Sequence, residues 1–83
     1  NFCYVGDLNM TFSDNYYFTK TGRKLFIDCF EKNNMTNLTE NLNETIDHIV
    51  ITNRFIEKQK HFFCEWNFDK TLSDHKGVCI SIE

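Results

Sequence analysis

Four short runs rich in β-branched and aromatic residues punctuate this chain: Phe2-Cys3-Tyr4-Val5, Thr45-Ile46-Asp47-His48-Ile49-Val50-Ile51-Thr52, Lys60-His61-Phe62-Phe63-Cys64-Glu65-Trp66 and Gly77-Val78-Cys79-Ile80-Ser81-Ile82. Three of them adjoin or contain a short acidic motif, in the order Gly6-Asp7-Leu8-Asn9, Ile46-Asp47-His48-Ile49 and Ser73-Asp74-His75. Runs of this length and composition predict strands. Each carboxylate is therefore expected at a strand end or in the loop beside it. Sheet-based architecture is the strongest constraint here, and one helical segment qualifies it. Over 19–35, Leu25, Phe26, Cys29 and Phe30 recur at helical spacing with Lys20, Arg23, Lys24, Asp28, Glu31 and Lys32 between them, as in a helix packed on a sheet. The Asn-rich stretch 33–43 predicts a loop or a short broken helix, and Phe55-Ile56 a short turn or helix. The fold class expected is α/β (α+β).

Eighty-three residues make one small domain, and a chain of that size buries only ~60–65% of its unfolded surface, so its stability margin is thin. The net charge of −3 gives no basic stripe of the kind that grips duplex phosphates. Lys20, Arg23 and Lys24, or Arg54, Lys58 and Lys60, are candidates for local phosphate contacts, and solvated faces explain them equally well. No apolar run is long enough to span a membrane. The four cysteines, Cys3, Cys29, Cys64 and Cys79, are scattered through the apolar strands and the helix, the usual setting of reduced core thiols.

Carboxylates at sheet edges with an Asn and a His supply what metal-assisted phosphate ester hydrolysis needs: a cation ligand, a water activator and a donor to the phosphoryl oxygens. Asp7 and Asn9 are two apart on a segment expected to be extended, which would put both side chains on one face. A turn is the competing reading, because Gly, Asp and Asn all favour turns. Asp47, set among isoleucines, is costly to place without a polar partner. His48 would face away from Asp47 on a strand, and a packed or hydrogen-bonded role suits it better than catalysis. His61 and Cys64 have ligand spacing, but two ligands do not make a structural zinc site.

Taken together, the three motifs resemble the C-terminal part of the endonuclease/exonuclease/phosphatase superfamily, the deoxyribonuclease I-like and exonuclease III-like fold. Each motif alone is short enough to recur by chance; the three in this order, each beside an expected strand, are specific. The resemblance runs from Tyr4 to Ile82. It implies the C-terminal portion of a four-layer αββα two-sheet sandwich, with residues 1–83 as a segment of one such domain. It gives Asp7 the orientation of the attacking water, and Asn9 a hydrogen bond to the phosphate or that water. Asp74 and Asp7 become metal ligands, and His75 stabilises phosphoryl charge. Asp47 becomes the carboxylate that fixes His75, with an oxygen within ~2.6–3.2 Å of a ring nitrogen. The implied cofactor is Mg²⁺ or Mn²⁺, hard cations for oxygen ligands.

The implied activity is divalent-metal-dependent hydrolysis of a phosphoric ester, with nucleic acid as the leading substrate and a phosphatase- or sphingomyelinase-type reaction as the alternative. A second class of function stands beside it, a non-catalytic split half-domain acting as an interaction module. The chain opens in an apolar run without an initiator Met, so the N-terminal half of the domain is expected to lie elsewhere, in the same or a second chain, or to be replaced by self-association. Apolar residues among Phe2, Tyr4, Val5, Ile49, Ile51, Phe62 and Ile80 would then be open to water. Four glycosylation sequons begin at Asn9, Asn34, Asn37 and Asn43. A glycan on Asn9 would block the site, so a cytoplasmic, prokaryotic protein is expected.

Overall fold

The computed structural model describes residues 2–82. Five strands and two helices follow in the order β1 (Cys3–Asp7), α1 (Lys20–Lys32), β2 (Met35–Asn37), β3 (Asp47–Thr52), α2 (Asn53–Ile56), β4 (His61–Trp66) and β5 (Gly77–Ile82). The chain is a small mixed α/β domain with two antiparallel sheets. One sheet has the order β1-β3-β2 and the other is the two-stranded β4-β5 ribbon.

β3 is the centre of the fold because both its faces are covered. His48, Ile49, Val50 and Ile51 are all buried, and a strand covered on both sides has no need of a polar alternate position. One face, carrying Ile49 and Ile51, joins Leu38 and Ile56 in the core, and Val78 and Ile80 of β5 pack against it. The opposite face carries His48, whose ring meets Phe12 edge-on at 4.8 Å, and Phe12 in turn contacts Phe26 and Phe30 of α1 at 6.3 Å each. The layers are therefore helix, three-stranded sheet and ribbon.

α1 begins where the Thr19 hydroxyl accepts from the Gly22 backbone N–H at 3.1 Å, a side-chain N-cap. It stops at Lys32, short of the expected 35, because Asn34 takes a left-handed conformation (φ 55°) and its N–H closes on the Glu31 carbonyl at 3.2 Å. Phe26 and Phe30, one turn apart, reach the sheet through Phe12; Leu25 and Cys29 lie on the neighbouring stripe, which three strands are too few to cover, and stay exposed. β2 was expected as loop or broken helix. Three residues are too few to show an alternation, and this strand exists by pairing, Met35 to Thr52 through Asn37 to Val50.

The other correction concerns solvent exposure. Phe2, Val5 and Phe62 are open to water as expected, at 59%, 68% and 54% of full exposure. Ile49 and Ile51 are not, because the ribbon covers β3 while leaving β1 bare. All four cysteines are free and exposed, so none is a core thiol. Among the described residues no helix is long and apolar enough to cross a membrane.

Candidate metal and phosphate site

The antiparallel register of β1 and β3 sets Asp7 directly opposite Asp47. Two carboxylates facing each other across a ladder repel, and this pair ends a strand where something cationic can stand between them. His75 does so. Its Nδ1 lies 2.7 Å from Asp47 Oδ2 and its Nε2 3.9 Å from Asp7 Oδ2. Since a carboxylate only accepts, Nδ1 carries the proton in that bond, and Nε2 is left facing Asp7. The hydrogen bond to Asp47 is the main cause that raises the His75 pKa above its usual value, with desolvation opposing and the charges of Asp47, Asp7 and Asp74 adding to the rise.

Three elements hold this arrangement. Asp7 closes β1 and Asp47 opens β3, and Leu8 N–H prolongs their pairing by donating to the Ile46 carbonyl at 3.0 Å. His75 sits in the loop that joins β4 to β5, and this loop is organised by a residue that sequence reasoning missed. Asn67, in a left-handed conformation (φ 61°), donates from its amide to the carbonyls of Ser73 (3.0 Å) and His75 (2.7 Å), and accepts from Leu72 N–H at 3.0 Å. One Asn side chain thus gathers both ends of the turn that presents the imidazole. An Asn just past a strand, eight residues before a His, was the available signal, though it marks turns as readily as sites. Behind the loop Lys76, only 6% exposed, pairs with Glu65 at 2.5 Å and donates to the Asn43 carbonyl.

Asp7, Asp47 and His75 each offer a ligand atom, all within 4.8 Å of one another. A cavity of about 340 Å³ opens beside them, lined by Asp47, Ser73, His75 and Lys76 with Val5 and Trp66 on its apolar side. Two of the five expected site residues stand differently. Asn9 does not share a face with Asp7: it adopts φ 53°, and its N–H donates to Asp7 Oδ1 at 2.6 Å, an Asx turn in place of an extended segment. Asp74 is exposed and outside the three-donor group; its neighbour His75 takes the inward place in the turn, and Asp74 contributes charge to that imidazole.

His48 has the packed role expected of it. Its Nε2 donates to the Met10 carbonyl at 2.7 Å, while Nδ1 faces the Thr39 hydroxyl at 2.8 Å and the Asn37 amide at 3.3 Å. Desolvation lowers its pKa against the opposing bond to Met10, so it is held neutral. Arg23 is likewise committed, donating to the Thr11 carbonyl at 2.9 Å and to the Asp14 carbonyl, with its guanidinium 3.9 Å from the Phe18 ring centre. A second cavity, about 290 Å³, is lined by Lys70 and Lys76, but Glu44 and Glu65 already neutralise both.

No family model, curated protein or solved structure matches this chain.

Proposed function

We propose that this chain is part of a deoxyribonuclease I-like domain of the endonuclease/exonuclease/phosphatase type, and that Asp7, Asp47 and His75 belong to a divalent-metal-dependent phosphoric ester hydrolase acting on nucleic acid. The observation that carries the proposal is the 2.7 Å contact between Asp47 and His75, residues 28 apart in sequence, at the strand end where Asp7 also arrives. The two carboxylates, Asp7 and Asp47, suit Mn²⁺ or Mg²⁺ bound with water completing the shell, with His75 beside the cation and not ligating it. Such a cation, when bound, supplies charge neutralisation at a phosphoryl oxygen and a more acidic water.

The residues divide the remaining work by their atoms. Asp47 fixes the imidazole through Nδ1, so that Nε2 is left free on the Asp7 side. With Nε2 protonated, His75 donates to a phosphoryl oxygen; its raised pKa favours that form. Asp7 Oδ1 is held by Asn9 N–H, which leaves Oδ2, on the His75 side, to orient a water or hold a cation. Asn9, exposed two residues beyond Asp7, is free to hydrogen-bond substrate through its side chain. Asp74 adds to the negative field around His75. The complete site, in this proposal, takes further ligands from a domain half in the same or a second chain, and works in the cytoplasm.

Paramagnetic broadening tests the metal assignment on the 83-residue chain itself. Substoichiometric Mn²⁺ should broaden the His75 ring and the Asp7 and Asp47 amide resonances first, and leave those of His61 sharp. Uniform broadening over all acidic surface residues would contradict a site at this place.

A further inference from the structure

The β4–β5 register pairs Cys64 directly with Cys79. Directly opposed residues on an antiparallel ladder have Cβ atoms about 4.5–5.5 Å apart, and a disulfide needs about 3.5–4.5 Å with Cα atoms within 4.4–6.8 Å. A small closing of the ribbon bridges that difference. Both thiols are exposed, on the face that also carries Phe62, Trp66 and Ser81, turned away from the core. The other two cysteines have no such relation: Cys3 faces Ile51 in the other sheet and Cys29 is on α1.

We propose that Cys64 and Cys79 form a reactive dithiol, a modification site that closes to a cross-strand disulfide by exchange with a low-molecular-weight disulfide. The Cys64 thiolate attacks one sulfur of the small disulfide and expels the other as a thiolate, which takes up the proton that Cys64 released. The Cys79 sulfur then attacks Cys64 in the mixed disulfide, and the second small thiol leaves with the Cys79 proton. Two protein thiols are oxidised and one small disulfide is reduced to two thiols. Desolvation, with the contact to Cys64, raises the Cys79 pKa, so Cys79 stays a thiol during the first step and gives up its proton only as it attacks the adjacent mixed disulfide. The bridge would staple the two strands that flank the loop carrying Asn67 and His75.

Peptide mapping tests this on the native chain. After incubation with oxidised glutathione, alkylation and trypsin, the expected product is peptide 61–70 joined to peptide 77–83, while Cys3 and Cys29 are recovered alkylated or glutathionylated but unlinked. Cys64→Ser and Cys79→Ser should each stop at the mixed disulfide on the remaining ribbon cysteine. In urea the linked fraction of 61–70 to 77–83 should fall, with pairings to Cys3 and Cys29 appearing beside it, although this pair, with the shortest loop, stays the commonest; that drop keeps the test decisive should either variant fail to fold. Glutathione on both ribbon cysteines without linkage, or the same pairing pattern in urea as in the native chain, would overturn the proposal.

Discussion

At the scale of single residues, the two histidines beside Asp47 show how position alone separates their chemistry. His48 and His75 start from the same side chain. One is enclosed between β3 and Phe12 with a backbone carbonyl as partner, the other half-exposed between two carboxylates, and their pKa values move in opposite directions. The consequence for stability has a definite sign. His75, raised by its bond to Asp47, contributes stability that is fully present below the ordinary value of about 6.5 and is lost as pH rises through its raised value. His48, lowered by desolvation, contributes stability that is present above about 6.5 and lost as pH falls below it. The His75→Ala change should therefore lower the urea midpoint more near about pH 5.5 than near about pH 9. An equal loss at both ends of that range would show that His75 is not bound to Asp47 in solution. Alternation along β3 made the role of His48 legible in the sequence, since neighbours on a strand face opposite ways. The Asp7–Asn9 turn was legible only as the competing reading, and it prevails because a local hydrogen bond holds the chain against extension there.

At the scale of elements, α1 was legible from its helical period, and β1, β3, β4 and β5 from runs of β-branched and aromatic residues. β2 and the 67–76 loop were hidden, the first by its shortness and the second because its order comes from one Asn side chain bridging backbone groups six and eight residues away. Asn67→Ala should leave the two sheets intact while freeing His75, so the hydrogen-bonded His75 ring proton should be lost from the NMR spectrum although circular dichroism is unchanged. Retention of that proton would remove Asn67 from its positioning role. The ribbon has its own requirement at Gly77, where an added Cβ would lie 2.0 Å from the Trp66 ring. The glycine lets the indole lie over the strand. Gly77→Ala should displace the ring, at a cost below that of overpacking a closed core because Trp66 is half-exposed and can swing outward. Because Trp66 is the sole tryptophan, a red shift of its emission reports the displacement directly, and unchanged emission and stability would contradict the packing described.

At the scale of the whole molecule, the ribbon covers β3 and leaves Phe2, just before β1, and Val5 on β1 exposed, along with Phe62, Phe63 and Trp66 on the ribbon itself. Exposed apolar surface of this kind seeks a covering partner, and another copy of the chain can supply one. Sedimentation of the 83-residue chain should show association that grows with concentration, and Val5→Lys with Phe62→Lys should suppress it. A strictly monomeric chain up to high concentration would mean that these faces need no cover. The site shares this dependence: Asp7, Asp47 and His75 come from β1, β3 and the β4–β5 loop, so the proposed chemistry exists only when both sheets are docked. The most direct test is the rate of hydrolysis of a duplex oligonucleotide by this protein, with Mg²⁺ or Mn²⁺, with chelator, and with His75→Ala. Cleavage should require the cation and fall about 10²–10³-fold in His75→Ala, the loss expected for one donor to developing charge, and Asp47→Asn should have a smaller effect. Cation-independent cleavage, or cleavage by His75→Ala at the unmodified rate, would contradict the account.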